Sequence, residues 1–235
     1  MEQFLKVLSL RKERLCSSKL CTFVGSEPNA SLHVKLSFAP AMLFFTMGFK
    51  DILNSLKEED SSNPLQLSVN IHCEEDSEHW RWFLSDLNKL PAGNRLFSKS
   101  ATELVSEIWS DKYHVVRSLV YNCIHLSKIY DTAFYRLVMI ESLEATFDCF
   151  NNAVFELVKS FNMEDYFEYF GQAHAHSEAN HAMEKSNDEH ESSAFAGYHA
   201  TAKELEVAVT IVNAVFDEFD VAFNCWFDHI MVDVA

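Results

Sequence analysis

Residues 71–79 read Ile71-His72-Cys73-Glu74-Glu75-Asp76-Ser77-Glu78-His79, and residues 173–181 read Ala173-His174-Ala175-His176-Ser177-Glu178-Ala179-Asn180-His181. Both contain His-x3-acid-x2-His. On an α-helix, offsets of four and seven residues fall within about 60° of each other around the axis, so each segment aims two imidazoles and a carboxylate the same way. Neutral imidazole and carboxylate suit iron, manganese or zinc, and two such helices facing each other form a metal cage.

The surrounding pattern places both motifs on buried faces. Residues 65–90 have a helical pattern that stops at Pro91-Ala92-Gly93, and Val69, His72, Cys73, Asp76, His79, Trp80, Phe83, Leu87 and Leu90 form one stripe at spacings of three and four. A later helix is expected from Met163 or Glu164, with Phe167, Phe170, His174, Glu178 and His181 on its stripe. His176 lies about 200° from His174 on that helix and drops out as a ligand.

Further helices are expected over residues 2–20, from Pro40 to Lys57, over 100–128 and 131–161 with breaks near Ser110-Asp111 and Asp131, and over 196–234. The chain of 235 residues holds only five Gly and four Pro, too few punctuators for a fold of many strands and turns. With 48% hydrophobic and 13% aromatic residues it can fill a large core. The expected class is all-α: a single domain over residues 1–235, a bundle of seven or eight helices.

The formal charge of −16 argues against a nucleic-acid or anionic-membrane partner, because phosphate contacts need clustered Lys and Arg. The six cysteines lack C-x2-C pairing and most lie in apolar helical surroundings, so a disulfide framework is not expected. Met1-Glu2-Gln3-Phe4 is no secretory signal core, and the uncharged apolar run Leu36 to Phe49 is too short to span a bilayer. These features lead to the expectation of a cytoplasmic protein with no membrane partner. A homodimer is compatible with the acidic surface and buried aromatics, although no stripe marks an interface.

A third helix adds Glu141 and Glu144, an i, i+3 pair in the apolar segment Phe134 to Phe155. Buried carboxylates are costly unless paired or metal-bound; the alternative is that the pair faces solvent. Asp76, Glu141, Glu144 and Glu178 carry four negative charges beside the neutral imidazoles of His72, His79, His174 and His181, and two divalent cations balance them. A thiolate-free oxygen and nitrogen set suits a non-haem di-iron or iron–manganese centre that binds O2 more than it suits structural zinc.

An all-helical chain of this length, with an acid and a histidine on one core helix, a glutamate on the next and His-x3-acid-x2-His on a third, resembles the haem-oxygenase-like di-iron oxidases, relatives of TenA and PqqC proteins. The resemblance implies a haem-oxygenase-like bundle and O2-dependent oxidation of a small organic substrate at a metal pair, Fe/Fe or Mn/Fe, without haem. Position by position, His79 matches the family histidine, Glu141 or Glu144 the helix glutamate, and His174, Glu178 and His181 the final triad, with Glu in place of the commoner Asp. The departure is His72, where the family usually has a carboxylate; Asp76, three residues before His79, carries that charge instead. Two related activities fit less well. Haem oxygenase needs a glycine-rich distal helix that is missing here, and a TenA-like hydrolase needs an activated cysteine, for which Cys123 and Cys149 have no evident base. A second reading is a TenA-like helical domain without metal or catalysis that binds a ligand or a protein and keeps these polar residues as a hydrogen-bond network.

Overall fold

Side-chain caps set where several helices begin in the computed structural model, which describes residues 1–26, 30–59, 61–90, 100–176, 195 and 197–234. In chain order the helices are α1 (Glu2–Cys16), α2 (Lys19–Ser26), α3 (Leu32–Lys35), α4 (Leu43–Leu56), α5 (Pro64–Asp76), α6 (His79–Lys89), α7 (Ala101–Trp109), α8 (His114–Ile129), α9 (Ala133–Ser160) and α10 (Ala202–Val234). Asn63 caps α5 by accepting from the Leu65 amide, with Pro64 pre-set in the first turn. Ser100 and Glu103 form a reciprocal capping box on α7, and Thr132 caps α9. Thr201 and Glu204 satisfy each other's amides at the start of α10 in the same way. Among the described residues there is no strand, as the expected all-α class requires.

α9 is the central element, packing against α1, α2, α5, α8 and α10, while α4 lies across α8 and reaches α5 and α6. Every residue from Leu137 to Thr146 is buried, so this stretch of α9 has no solvated face. Glu141 and Glu144 therefore point into the protein, which removes the surface-facing alternative. One aromatic-rich core runs from Phe4 through Phe38, Phe150 and Phe216 to Trp226. The segment Leu32–Leu56 is long and apolar enough by composition to cross a bilayer, longer than the uncharged run alone indicates. However, 56% of its most apolar window is buried, and a 3-10 turn at Ala39–Met42 interrupts it.

Several boundaries differ from the sequence expectations. The expected helix over residues 2–20 is two helices, α1 and α2, parted at Ser17-Ser18. The expected continuous helix over 65–90 breaks at Ser77-Glu78, where the Ser77 hydroxyl donates to the Glu74 carbonyl and competes with the backbone ladder. The helix expected from Met163 or Glu164 begins only at residue 172. Asp86 is the reason: fully buried in α6, its carboxylate accepts from the backbone amides of Glu168 (2.8 Å), Tyr169 (2.7 Å) and Phe170 (3.0 Å), which an α-helix through these residues would engage internally. Gly171 completes the irregular turn, since a Cβ there would stand 2.1 Å from the Phe167 carbonyl oxygen and 2.3 Å from that of Glu164.

The cysteines form no disulfide framework, but they do form one bond that the sequence did not suggest: Cys16 and Cys149 are joined, with Cα atoms 4.8 Å apart, while Cys21, Cys73, Cys123 and Cys225 are free. Spacing in the sequence gives no hint of it because 133 residues separate the partners. Replacing Asp86 by Ala strands the three amides it holds, and we expect a loss of about 3–5 kcal/mol in urea unfolding. A loss below about 1 kcal/mol would show that the 163–171 turn is held by something else.

Candidate metal centre

On α5, His72 and Asp76 stand one turn apart on the buried face, and Glu144 of α9 faces them across the α5–α9 contact. The His72 Nε2 atom lies 2.9 Å from Asp76 Oδ2 and 3.0 Å from Glu144 Oε1. All three residues are buried, and each presents one donor atom within 4.8 Å of the others. Adjacent ligands of an octahedral ion with bonds of about 2.1 Å stand roughly 3 Å apart, so the two measured separations suit ligation of one cation. A single ring nitrogen shared by two carboxylates is poorly served by one proton.

The local chain explains the electrostatics. Asp76 is the last residue of α5 and follows Glu74 and Glu75, so three acids sit at the negative end of the helix dipole. Among the described residues its buried Oδ1 atom has no hydrogen bond, and His79 Nδ1 approaches it to 3.5 Å with geometry short of one. Burial lowers the proton affinity of His72, but the hydrogen bonds and charges of Asp76 and Glu144 outweigh it and push the pKa up to about 11. Without a metal, therefore, His72 is an imidazolium clamped between two carboxylates.

The break at Ser77-Glu78 turns the chain so that His79 opens α6 beside the same group. Its ring stacks on Trp82 at 4.5 Å and meets the edge of His174 at 4.5 Å. His174 is 2% exposed, and its Nδ1 lies 2.9 Å from the Tyr169 carbonyl, an acceptor only, so Nδ1 carries the proton and Nε2 keeps its lone pair. Burial and the nearby His79 lower the pKa of His174 to about 3, leaving the neutral ring that metal ligation needs.

The structure thus brings together His72, Asp76, His79, Glu144 and His174 of the residues proposed from sequence. Glu141 is buried one turn before Glu144 on α9 but outside the group of three. Glu178 and His181 lie outside the described residues. His176 is exposed, in keeping with its exclusion.

A narrow, mostly apolar pocket opens over Asp76, His79, Glu144 and His174. Its walls are Phe45 and Phe49 of α4, Leu143 and Phe147 of α9, Tyr169 and Phe219, with Lys50 and Trp80 also lining it. The sequence reading has Phe45 only within the uncharged apolar run Leu36 to Phe49, with no site assigned to it. It missed Tyr169, Trp82 and Lys50, which carry no motif and reach the site only through the Asp86 turn, the α6 helix and the α4 crossing. The chain matches no family model, and no curated protein matches it.

We expect His72→Ala and Glu144→Ala each to weaken Mn(II) binding by at least about tenfold in a chelator-competition titration, and His176→Ala to leave it unchanged. Equal effects from all three would contradict the observed inward placement.

Proposed function

We propose that the protein is a non-haem, metal-dependent oxidase or oxygenase that acts on a small organic substrate with O2, in a bundle of haem-oxygenase-like form. The observation that carries this reading is the convergence of His72 Nε2, Asp76 Oδ2 and Glu144 Oε1 beneath an aromatic pocket. The donor set fits the group: three buried ligand atoms, a buried carboxylate oxygen with no hydrogen bond among the described residues and no thiolate in the set favour a hard or borderline divalent ion. Two ions are proposed, iron with iron or iron with manganese. His72, Asp76 and Glu144 would hold the first, and His79 and His174 would contribute to the second; Glu178 and His181, also proposed from sequence, lie outside the described residues.

When bound, such ions supply the electrons and open positions that O2 reduction requires. The chain's own side chains do the rest. Asp76 and Glu144 offset the positive charge, the Tyr169 carbonyl fixes the His174 ring, and Trp82 fixes the His79 ring by stacking. Phe45, Phe49, Phe147 and Phe219 exclude water and select a compact, largely apolar substrate body.

One observation favours a second reading, a ligand- or protein-binding helical domain without metal. The raised proton affinity of His72 lets one imidazolium bridge Asp76 and Glu144 by hydrogen bonds without a metal. Metal analysis of protein produced with iron and manganese separates the two. The oxidase reading requires close to two equivalents of tightly held metal and O2 consumption that starts on adding Fe(II). Fewer than about 0.5 equivalents would leave the metal-free reading in its place.

A further inference from the structure

We propose that the Cys16–Cys149 disulfide is a redox site open to a dithiol reductant, and that its reduction releases the α1–α2 pair from the helix that carries Glu144. Cys16 is the last residue of α1 and is exposed, whereas Cys149 is buried in α9. A reductant therefore reaches the bond from one side. Disulfides that stabilise secreted domains come as dense frameworks, but here four other cysteines are free and three of those are buried. Exposed disulfides are more readily reduced than buried ones, and the Cys16 end of this one is at the surface.

The exchange is simple to write. A thiolate of the dithiol attacks the Cys16 sulfur, the bond to Cys149 breaks, and the Cys149 thiolate takes a proton. The second thiol of the reductant then attacks the mixed disulfide, so Cys16 leaves as a thiolate and is protonated. The reductant becomes a disulfide, and both cysteines become thiols. Cys149 Sγ already lies 3.2 Å from the Lys12 carbonyl oxygen, which can accept from the new thiol.

Without the bond, α1 retains Phe4 and Leu15 in the core and a set of polar contacts. Arg11 pairs with Asp217 at 2.6 Å and Asn213 at 2.8 Å, and Lys12 pairs with Asp148 at 2.7 Å. Asp217 is 72% exposed, so salt screens its pair, and the hold on α1 becomes sensitive to ionic strength. Cys149 follows Glu144 on α9 by about one and a half turns, and α1 and α2 both pack on α9. Their release slackens the support of the helix that presents Glu144. This last link rests on the metal reading; the tether itself does not.

The test uses the full chain. Thiols are counted with a chromogenic reagent in denaturant, before and after treatment with dithiothreitol, and thermal unfolding and hydrogen exchange over residues 2–26 are recorded in both states. We expect four thiols rising to six. Reduction should lower Tm on the order of 5–10 °C, with faster exchange in α1 and α2 that salt accelerates further. Cys16→Ser should reproduce the reduced behaviour and lose its response to dithiothreitol. Six thiols in air-oxidised protein, or unchanged Tm and exchange on reduction, would overturn the proposal. For the coupling, Mn(II) should bind at least about tenfold more weakly after reduction. Equal affinity in both states overturns the coupling alone, and absence of binding in both states defeats the metal reading while the thiol and exchange results still decide the tether.

Discussion

Two carboxylates buried against one imidazole nitrogen form the constraint on which the rest depends. Asp76 and Glu144 are 4% and 8% exposed, and both approach Nε2 of His72 within hydrogen-bonding distance. Charges in such a place demand an opposite charge, supplied either by the proton on His72 or by a metal ion. The proton compensates one carboxylate and leaves Oδ1 of Asp76 without a hydrogen bond among the described residues. A divalent ion compensates both. The position of Asp76 at the negative end of α5 adds to the demand for a cation.

The fold serves this demand through two rigid devices. α9 is buried on all sides between Leu137 and Thr146, so the direction of Glu144 is fixed by close contacts around the whole helix. On the opposite side, Asp86 gathers the amides of residues 168–170 and so sets Tyr169, whose carbonyl fixes the His174 ring. A carboxylate two turns along α6 from His79 thereby orients a histidine from a distant part of the chain. Pocket walls from α4, α9 and α10 then close an apolar space over the polar floor.

The helical class and the buried face of residues 69–90 were legible because apolar spacing survives local distortion. The stripe stays buried at Val69, His72, Cys73, Asp76, His79, Phe83 and Leu87 even though the helix breaks in its middle. Spacing cannot report that break, since Ser77 acts through a hydroxyl-to-carbonyl bond to Glu74. Nor can it report the irregular turn before His174, which depends on Asp86 more than 80 residues earlier. The burial of Glu141 and Glu144 followed from the apolar character of their helix. Which of them joins His72 depended on how α5 crosses α9, a tertiary fact. The Cys16–Cys149 bond is tertiary in the same sense.

The most direct test of the central claim is anomalous diffraction at the iron and manganese edges from crystals of metal-loaded protein. We expect a peak bonded at about 2.0–2.3 Å to His72 Nε2, Asp76 and Glu144, with a second peak about 3.5–4 Å away on the side of His79 and His174. Crystals of metal-loaded protein with no peak there, and with His72 still hydrogen-bonded to both carboxylates, would contradict it.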